Sequence, residues 1–289
     1  MKKLLITGSS GFLGWHICQL AKTNWEVYGT CYSHSIDIPG VKIIPVDLTD
    51  FAELKQLFRE IKPAAVIHTV AQSQPNFCQT HPQESYKINV TASCDVAGLC
   101  ADDAIPCAFT STDLVFDGLN APYEETDPVC PVNLYGEQKV AAEIGMLERY
   151  PMTAVCRMPL MFGGETPTAK SFIQPFMQTL KDGKELSLFT DEFRTPASAT
   201  TAAKGILLAL EKINGYLHLG GKERISRYDF GRLLVEVFQL PTTGLKGCRQ
   251  KDVKMAAPRP ADVSLNSSQA FALGYQPLSV KSELEQLLL

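Results

Sequence analysis

The chain begins with a continuous apolar run, Lys3-Leu4-Leu5-Ile6-Thr7, and its first half then alternates short apolar runs with longer stretches of helical spacing. The runs 3–7, 26–30, 41–46, 64–69, 107–112 and 153–157 predict strands. The stretches 12–23, 51–61, 83–103 and 134–150 predict helices between them. Strands that are apolar throughout, rather than alternating, are buried on both faces, and helices of this length supply the crossovers of a parallel sheet. The expected fold class is therefore α/β, a doubly wound parallel sheet. Beyond Arg157 the rhythm changes. Helical stretches at 171–182, 200–212 and 226–239 are separated by loops rich in Gly, Pro and Thr, and the tail closes on a helix-like 280–289.

The first turn gives this sheet a chemistry. Thr7-Gly8-Ser9-Ser10-Gly11-Phe12-Leu13-Gly14 follows a strand and opens a helix. Glycines there let the backbone turn tightly and approach a pyrophosphate, which then meets the N–H groups of the helix start. In this context the turn predicts a Rossmann dinucleotide site, with residues 1–156 as the dinucleotide-binding domain, completed by about 194–212. Residues 157–289 then form mainly a smaller C-terminal substrate-binding region. A carboxylate about 20 residues past the glycines would bind an adenosine ribose hydroxyl and favour NAD. Here the second strand ends in Thr30-Cys31-Tyr32-Ser33-His34-Ser35, with no carboxylate before Asp37. NADP(H) is favoured by that gap, NAD(H) being the alternative.

Composition narrows the function classes. The 289 residues are 45% hydrophobic and 20% charged, with a formal net charge of -4 and no basic run. Neither nucleic acid nor an anionic membrane is an expected partner. Nine cysteines are scattered without a C-x-x-C pair, so no disulfide framework and no metal site is expected. The N-terminus reaches Gly8 too soon for a signal peptide, and no apolar stretch is long enough to span a bilayer. These features predict a cytoplasmic protein.

Tyr135-Gly136-Glu137-Gln138-Lys139 puts a tyrosine and a lysine four residues apart on one predicted helix, hence on one face. An ammonium beside a phenol favours its ionised form, and the same lysine can bond a nicotinamide ribose while the tyrosine exchanges a proton with a substrate oxygen. The pair follows the fifth strand, which ends in Thr110-Ser111-Thr112-Asp113; the Thr112 hydroxyl is placed to polarise a carbonyl.

The glycine spacing G-x-x-G-x-x-G resembles that of extended short-chain dehydrogenases. The runs Ser111-Thr112-Asp113-Leu114-Val115-Phe116-Asp117-Gly118, Pro122-Tyr123 with Glu125, and Asn133-Leu134-Tyr135-Gly136 narrow the resemblance to the dTDP-4-dehydrorhamnose reductase family. Agreement continues through Arg157, Phe162-Gly163, Arg194 with Pro196, Arg259-Pro260 and Ser264-Leu265, nearly the whole chain. The resemblance implies Thr112, Tyr135 and Lys139 as catalytic residues, with Thr112 and Asp113 touching the substrate. It implies cofactor contacts at Gly11, Phe12 and Leu13, at Asp47-Leu48, Ala71-Gln72-Ser73 and Thr110, to which the turn itself adds Gly8, Ser10 and Gly14 and the helix pair adds Tyr135 and Lys139. Two positions depart from the family: Leu114 stands where a tyrosine is usual, and Leu160 near a usual tryptophan.

The implied activity is NADPH-dependent reduction of a 4-keto nucleotide sugar, dTDP-4-dehydrorhamnose to dTDP-rhamnose, and a homodimer is compatible with it. The chain also resembles the regulatory β subunit of methionine adenosyltransferase, through Asn24-Trp25 and Asn133-Leu134-Tyr135. A nucleotide-binding regulatory subunit is therefore the alternative, and a sugar-nucleotide epimerase the third reading.

Overall fold

The apolar runs of the first half pair into a parallel sheet whose order determines where a ligand can sit. The computed structural model describes residues 1–288, leaving Leu289 of the expected final helix outside the described residues. The first half comprises β1 (Lys3–Thr7), α1 (Phe12–Ala21), β2 (Glu26–Cys31), β3 (Val41–Pro45), α2 (Phe51–Ile61) and β4 (Ala65–His68). It continues with α3 (Pro75–Thr80), α4 (Pro82–Tyr86), a π-helical turn (Lys87–Thr91), α5 (Ala92–Asp102), β5 (Cys107–Thr112), α6 (Leu134–Arg149) and β6 (Thr153–Met158). The second half carries the short strand β7 (Met161–Phe162), α7 (Ile173–Lys181), β8 (Leu186–Phe189), β9 (Phe193–Arg194), β10 (Ala197–Ser198) and α8 (Ala199–Lys212). It ends with β11 (Gly215–His218), β12 (Ile225–Ser226), α9 (Arg227–Val237), β13 (Leu245–Cys248), α10 (Ser268–Leu273) and α11 (Val280–Glu285).

The main sheet runs β11-β6-β5-β4-β1-β2-β3, every pair parallel. Strand order reverses between β1 and β4, and ligands of open α/β sheets lie in the crevice at that switch, beyond the carboxyl ends of the strands. Successive residues of a strand serve opposite faces. Leu4 and Ile6 pack with Ile17 of α1 and Ile206 of α8, whereas Leu5 packs with Phe58 of α2, Val96 of α5 and Met146 of α6. Burying each such side chain contributes roughly 1.5–3 kcal/mol, and this double cover is why the strands are apolar throughout. A separate apolar cluster in the second half joins Ile173 of α7, Leu188 of β8, Phe230 and Leu234 of α9, and Leu284 of α11.

Two differences from the sequence expectation matter for the site. The helix expected over 83–103 is continuous from Pro82 to Asp102 but contains a π turn at Lys87–Thr91 between α4 and α5, and Pro75 and Pro82 each open a helix on its N-terminal side. A proline has no N–H to continue a preceding helix, so each is suited to a first turn. The sheet also gains β11, which pairs with β6 from Gly215 to His218. Helix α6 is fixed at both ends of its buried face. Asn133 caps it by accepting from Gly136 N at 3.0 Å, and Arg157 of β6 grips Glu143 through two bonds of 3.2 and 3.0 Å.

Candidate functional site

At the switch point a cleft of about 1090 Å³ extends from the end of β1 to residues contributed by the second half. Its first wall is the glycine turn. Gly8 adopts φ +77°, a left-handed conformation, and a Cβ there would stand 2.9 Å from Val70 Cγ2. A Cβ on Gly14 would collide with the Gly8 carbonyl, so this glycine seats α1 on the turn itself. Ser9 is turned away from the cleft: its N and Oγ donate to the Thr30 carbonyl at 2.8 and 2.7 Å, tying the turn to the end of β2. Gly8, Ser10, Gly11, Phe12, Leu13 and Gly14 all line the cleft. Gly11 precedes α1 without a side-chain cap, and the first turn holds no acidic residue. Its N–H groups therefore remain available to an anion.

The second wall comes from β2, β3 and β4. Cys31, Tyr32, Ser33, Asp47 and Leu48 line it; Asp37 does not. Asp47 commits Oδ1 to the N–H and hydroxyl of Thr49, at 2.8 and 2.7 Å. Ala71 and Ser73 also line the cleft, but Gln72 between them does not. Its backbone is instead held by Asn89 of the π turn, which accepts from Gln72 N at 2.8 Å and donates to Gln72 O at 3.2 Å.

The third wall contains Thr110, Ser111, Thr112, Asp113 and Leu114 from the end of β5, with Tyr135 from α6. Thr112 Oγ1 donates to Asp113 Oδ1 and accepts from Leu114 N, both at 3.2 Å. Burial pushes the Tyr135 phenol above its usual range; the Asp113 carboxylate and Cys78 add to this, and the Thr112 hydroxyl opposes it. Lys139, one helical turn on, is buried with its ammonium 4.0 Å from the centre of the Phe109 ring. Burial lowers it to about 7, against the opposing charge of Glu143. The ammonium was expected to draw the proton off the phenol. Instead, desolvation favours the neutral form of both groups.

The end of the cleft lined by the second half is built from charges. Arg194 bonds Asp113 Oδ1 at 2.8 Å and Glu192 at 3.3 Å, leaving Asp113 Oδ2 and its own Nε buried without partners. Arg227, the first residue of α9, lies 4.3 Å from the centre of the Phe172 ring, and its buried Nη1 has no partner. Arg259 bonds only neutral acceptors, Ala257 O and Asn76 Oδ1, both at 3.3 Å. Arg194 is neutralised on both sides, so Arg227 and Arg259 carry the cationic character of this end. Arg227 escaped sequence reasoning because nothing near it in the chain forms a motif. Leu114 and Leu160, the two departures from the family, both line the cleft. Among the described residues, no group of three or more His, Cys, Asp or Glu is arranged to hold a metal ion, and no helix is long and apolar enough to cross a membrane.

The family described as RmlD substrate binding domain matches residues 1–288. A structure of a dTDP-4-dehydrorhamnose reductase from Clostridium acetobutylicum superposes with a TM-score of 0.86 at 25% identity, covering 99% of this chain and 98% of that one. The probable low-salt glycan biosynthesis reductase Agl14 of Haloferax volcanii is 30% identical over 270 residues, 91% of this chain and 89% of its own. Methionine adenosyltransferase 2 subunit beta of Xenopus laevis is 29% identical over 281 residues, 94% of this chain and 83% of its own.

Proposed function

This chain belongs to the RmlD substrate binding domain family, and from that premise we propose that it is an NADP(H)-preferring reductase of a 4-keto nucleotide sugar. The first substrate to test is dTDP-4-dehydrorhamnose. The observation that carries the reading is that Thr112 and Tyr135 line the same cleft as the glycine turn 8–14.

The residues present fit a dinucleotide. Gly8 lets the turn lie close against Thr69 and Val70, where a Cβ would collide, and the uncapped start of α1 suits a pyrophosphate. At the end of β2, where a carboxylate would repel a ribose 2′-phosphate, the lining is Cys31, Tyr32 and Ser33. When bound, the reduced nicotinamide supplies a hydride to the keto carbon. Thr112 holds the keto oxygen. Tyr135, kept protonated by burial, gives that oxygen its proton, which is the form a reductase needs at neutral pH. Lys139 orients the phenol and the ribose. Asp113 Oδ2, free of protein partners, accepts from a sugar hydroxyl, while Arg227 and Arg259 take the diphosphate. The unpaired cysteines fit a reducing cytoplasm.

The deciding experiment follows NADPH and NADH oxidation with dTDP-4-dehydrorhamnose and other 4-keto nucleotide sugars. Faster turnover with NADPH, one cofactor consumed per sugar, supports the reading and separates it from an epimerase, which consumes none. Failure to oxidise either cofactor with any of these sugars overturns it. The likeness to methionine adenosyltransferase subunits favours a second reading, a nucleotide-binding regulatory subunit. Co-purification with a synthetase, together with absent turnover, would establish it.

A further inference from the structure

We propose that Gln138 is a positioning residue that ties the helix carrying Tyr135 and Lys139 to the cofactor-side turn 71–73, acting through Asn89. The inference rests on the reading of the cleft as a nicotinamide-nucleotide site. Gln138 precedes Lys139 but faces a different neighbour. Its side chain is buried, and its amide is fully engaged: Oε1 accepts from Asn89 Nδ2 at 2.8 Å, and Nε2 donates to Ser85 Oγ at 2.9 Å and Pro82 O at 3.2 Å. Asn89 Nδ2 donates to Gln138 Oε1, to Gln72 O and, at a longer 3.8 Å, to Cys78 Sγ, while Oδ1 accepts from Gln72 N.

The segment 71–73 has no regular structure, so the peptide groups of Gln72 find their partners outside any ladder. Asn89 supplies a donor and an acceptor to them, with Cys78 Sγ adding a bond of 3.2 Å to Gln72 O. An amide can make both bonds to one residue in only one orientation, since a flip exchanges donor for acceptor. Gln138 Oε1 accepts only from the nitrogen and so holds Asn89 in that orientation. The wall residues Ala71 and Ser73 are thus registered to α6 through two buried side chains. Asn89 reaches Gln72 from the π turn, where the helix carries an extra residue.

The test separates positioning from plain packing with three variants: Gln138→Met, Gln138→Glu and Ser85→Ala. Gln138→Met removes the acceptor that orients Asn89. Gln138→Glu keeps that acceptor but sets a carboxylate against Pro82 O, which costs stability. Ser85→Ala loosens α4 without touching Asn89. Melting temperature, NADPH affinity by titration and hydrogen exchange of the Gln72 amide are measured for each. The expected result is an affinity roughly fivefold to tenfold weaker in Gln138→Met only, from the loss of a buried hydrogen bond, with faster Gln72 exchange. Gln138→Glu should melt lower yet bind NADPH nearly as the parent does. If affinity simply follows melting temperature across the three, Gln138 is structural and the proposal is overturned. If the parent binds no nicotinamide nucleotide, the functional reading itself fails. The positioning claim is then decided by Gln72 exchange alone, and an unchanged rate in Gln138→Met overturns it.

Discussion

The Lys139 ammonium rests on the face of Phe109, 4.0 Å from the ring centre, in a wall where the lysine is only 1% exposed. A cation–π contact recovers part of the desolvation cost, but Lys139 is still lowered from 10.5 to about 7. At about 1.4 kcal/mol per unit, holding the charged lysine in the cofactor-free fold costs a few kcal/mol. The folded value lies below the unfolded one, so the unfolded chain binds the extra proton between them. The penalty is complete below about 7 and fades as pH rises toward 10.5. Lys139→Met should therefore raise the melting temperature of the cofactor-free protein at pH 7, with a smaller gain near pH 10. Thermal melts at both pH values check this, and an equal gain at both would disprove the link to ionisation.

The cysteines give a second expectation. Seven are buried, Cys248 is half-buried and Cys130 is exposed. Burial raises Cys18 and Cys156 to about 12, so they hold little thiolate at neutral pH. A thiol reagent should label Cys130 rapidly in the native protein, Cys248 slowly, and the remaining seven only on unfolding. A total below nine in denaturant would reveal a disulfide and contradict the expectation of a reducing compartment.

The strands and the glycine turn were legible because their signals are local. Lys3–Thr7 and Phe51–Ile61 keep the bounds that apolar spacing predicts. Tyr135 and Thr112, 23 positions apart in the chain, could be paired only because strand and helix had both been recognised. What the sequence hides is non-local. Strand β11 has only four residues, and just Leu217 and His218 are fully buried, so Gly215-Tyr216-Leu217-His218 carries too little pattern to read. The π turn at Lys87–Thr91 carries Asn89, whose bond to Gln72 is a contact no periodicity records. The spacing of Tyr135 and Lys139 gives their proximity but not the burial that acts on the protonation of both.

Arg227 offers a cleaner separation of stability from function. Burial lowers it to about 10, and its Nη1 has no partner. Arg227 is half-buried and stacks on Phe172, and replacing a partly buried charge with an apolar side chain of similar length is often neutral or stabilising. Arg227→Met should keep or raise the melting temperature, since Phe172 still packs on the methionine. It should also raise KM for the nucleotide sugar by about tenfold or more, the scale of a lost charge-assisted bond, with KM for NADPH unchanged. A loss confined to NADPH would move the diphosphate elsewhere in the cleft.

Tyr135→Phe tests the chemistry itself. The substitution removes one hydroxyl from a buried ring packed against Cys78 and Leu114, so fold and cofactor affinity should survive. The lost proton donor should lower turnover by about a hundredfold or more. The pH profile then separates the two neighbours. Tyr135 must be protonated to donate, and burial pushes it up, so its ionisation should not limit the reaction below its ordinary range near 10. Lys139 must be charged to hold the ribose, and it lies near 7 in the free protein. The profile of kcat/KM, which reports the free enzyme, should therefore fall as pH rises through about 7. Lys139→Arg, whose guanidinium stays protonated, should remove that fall even if it lowers the maximum. A parent profile flat from pH 6 to 9 would show that Lys139 does not titrate there, and a Tyr135→Phe variant turning over like the parent would remove the tyrosine from the mechanism.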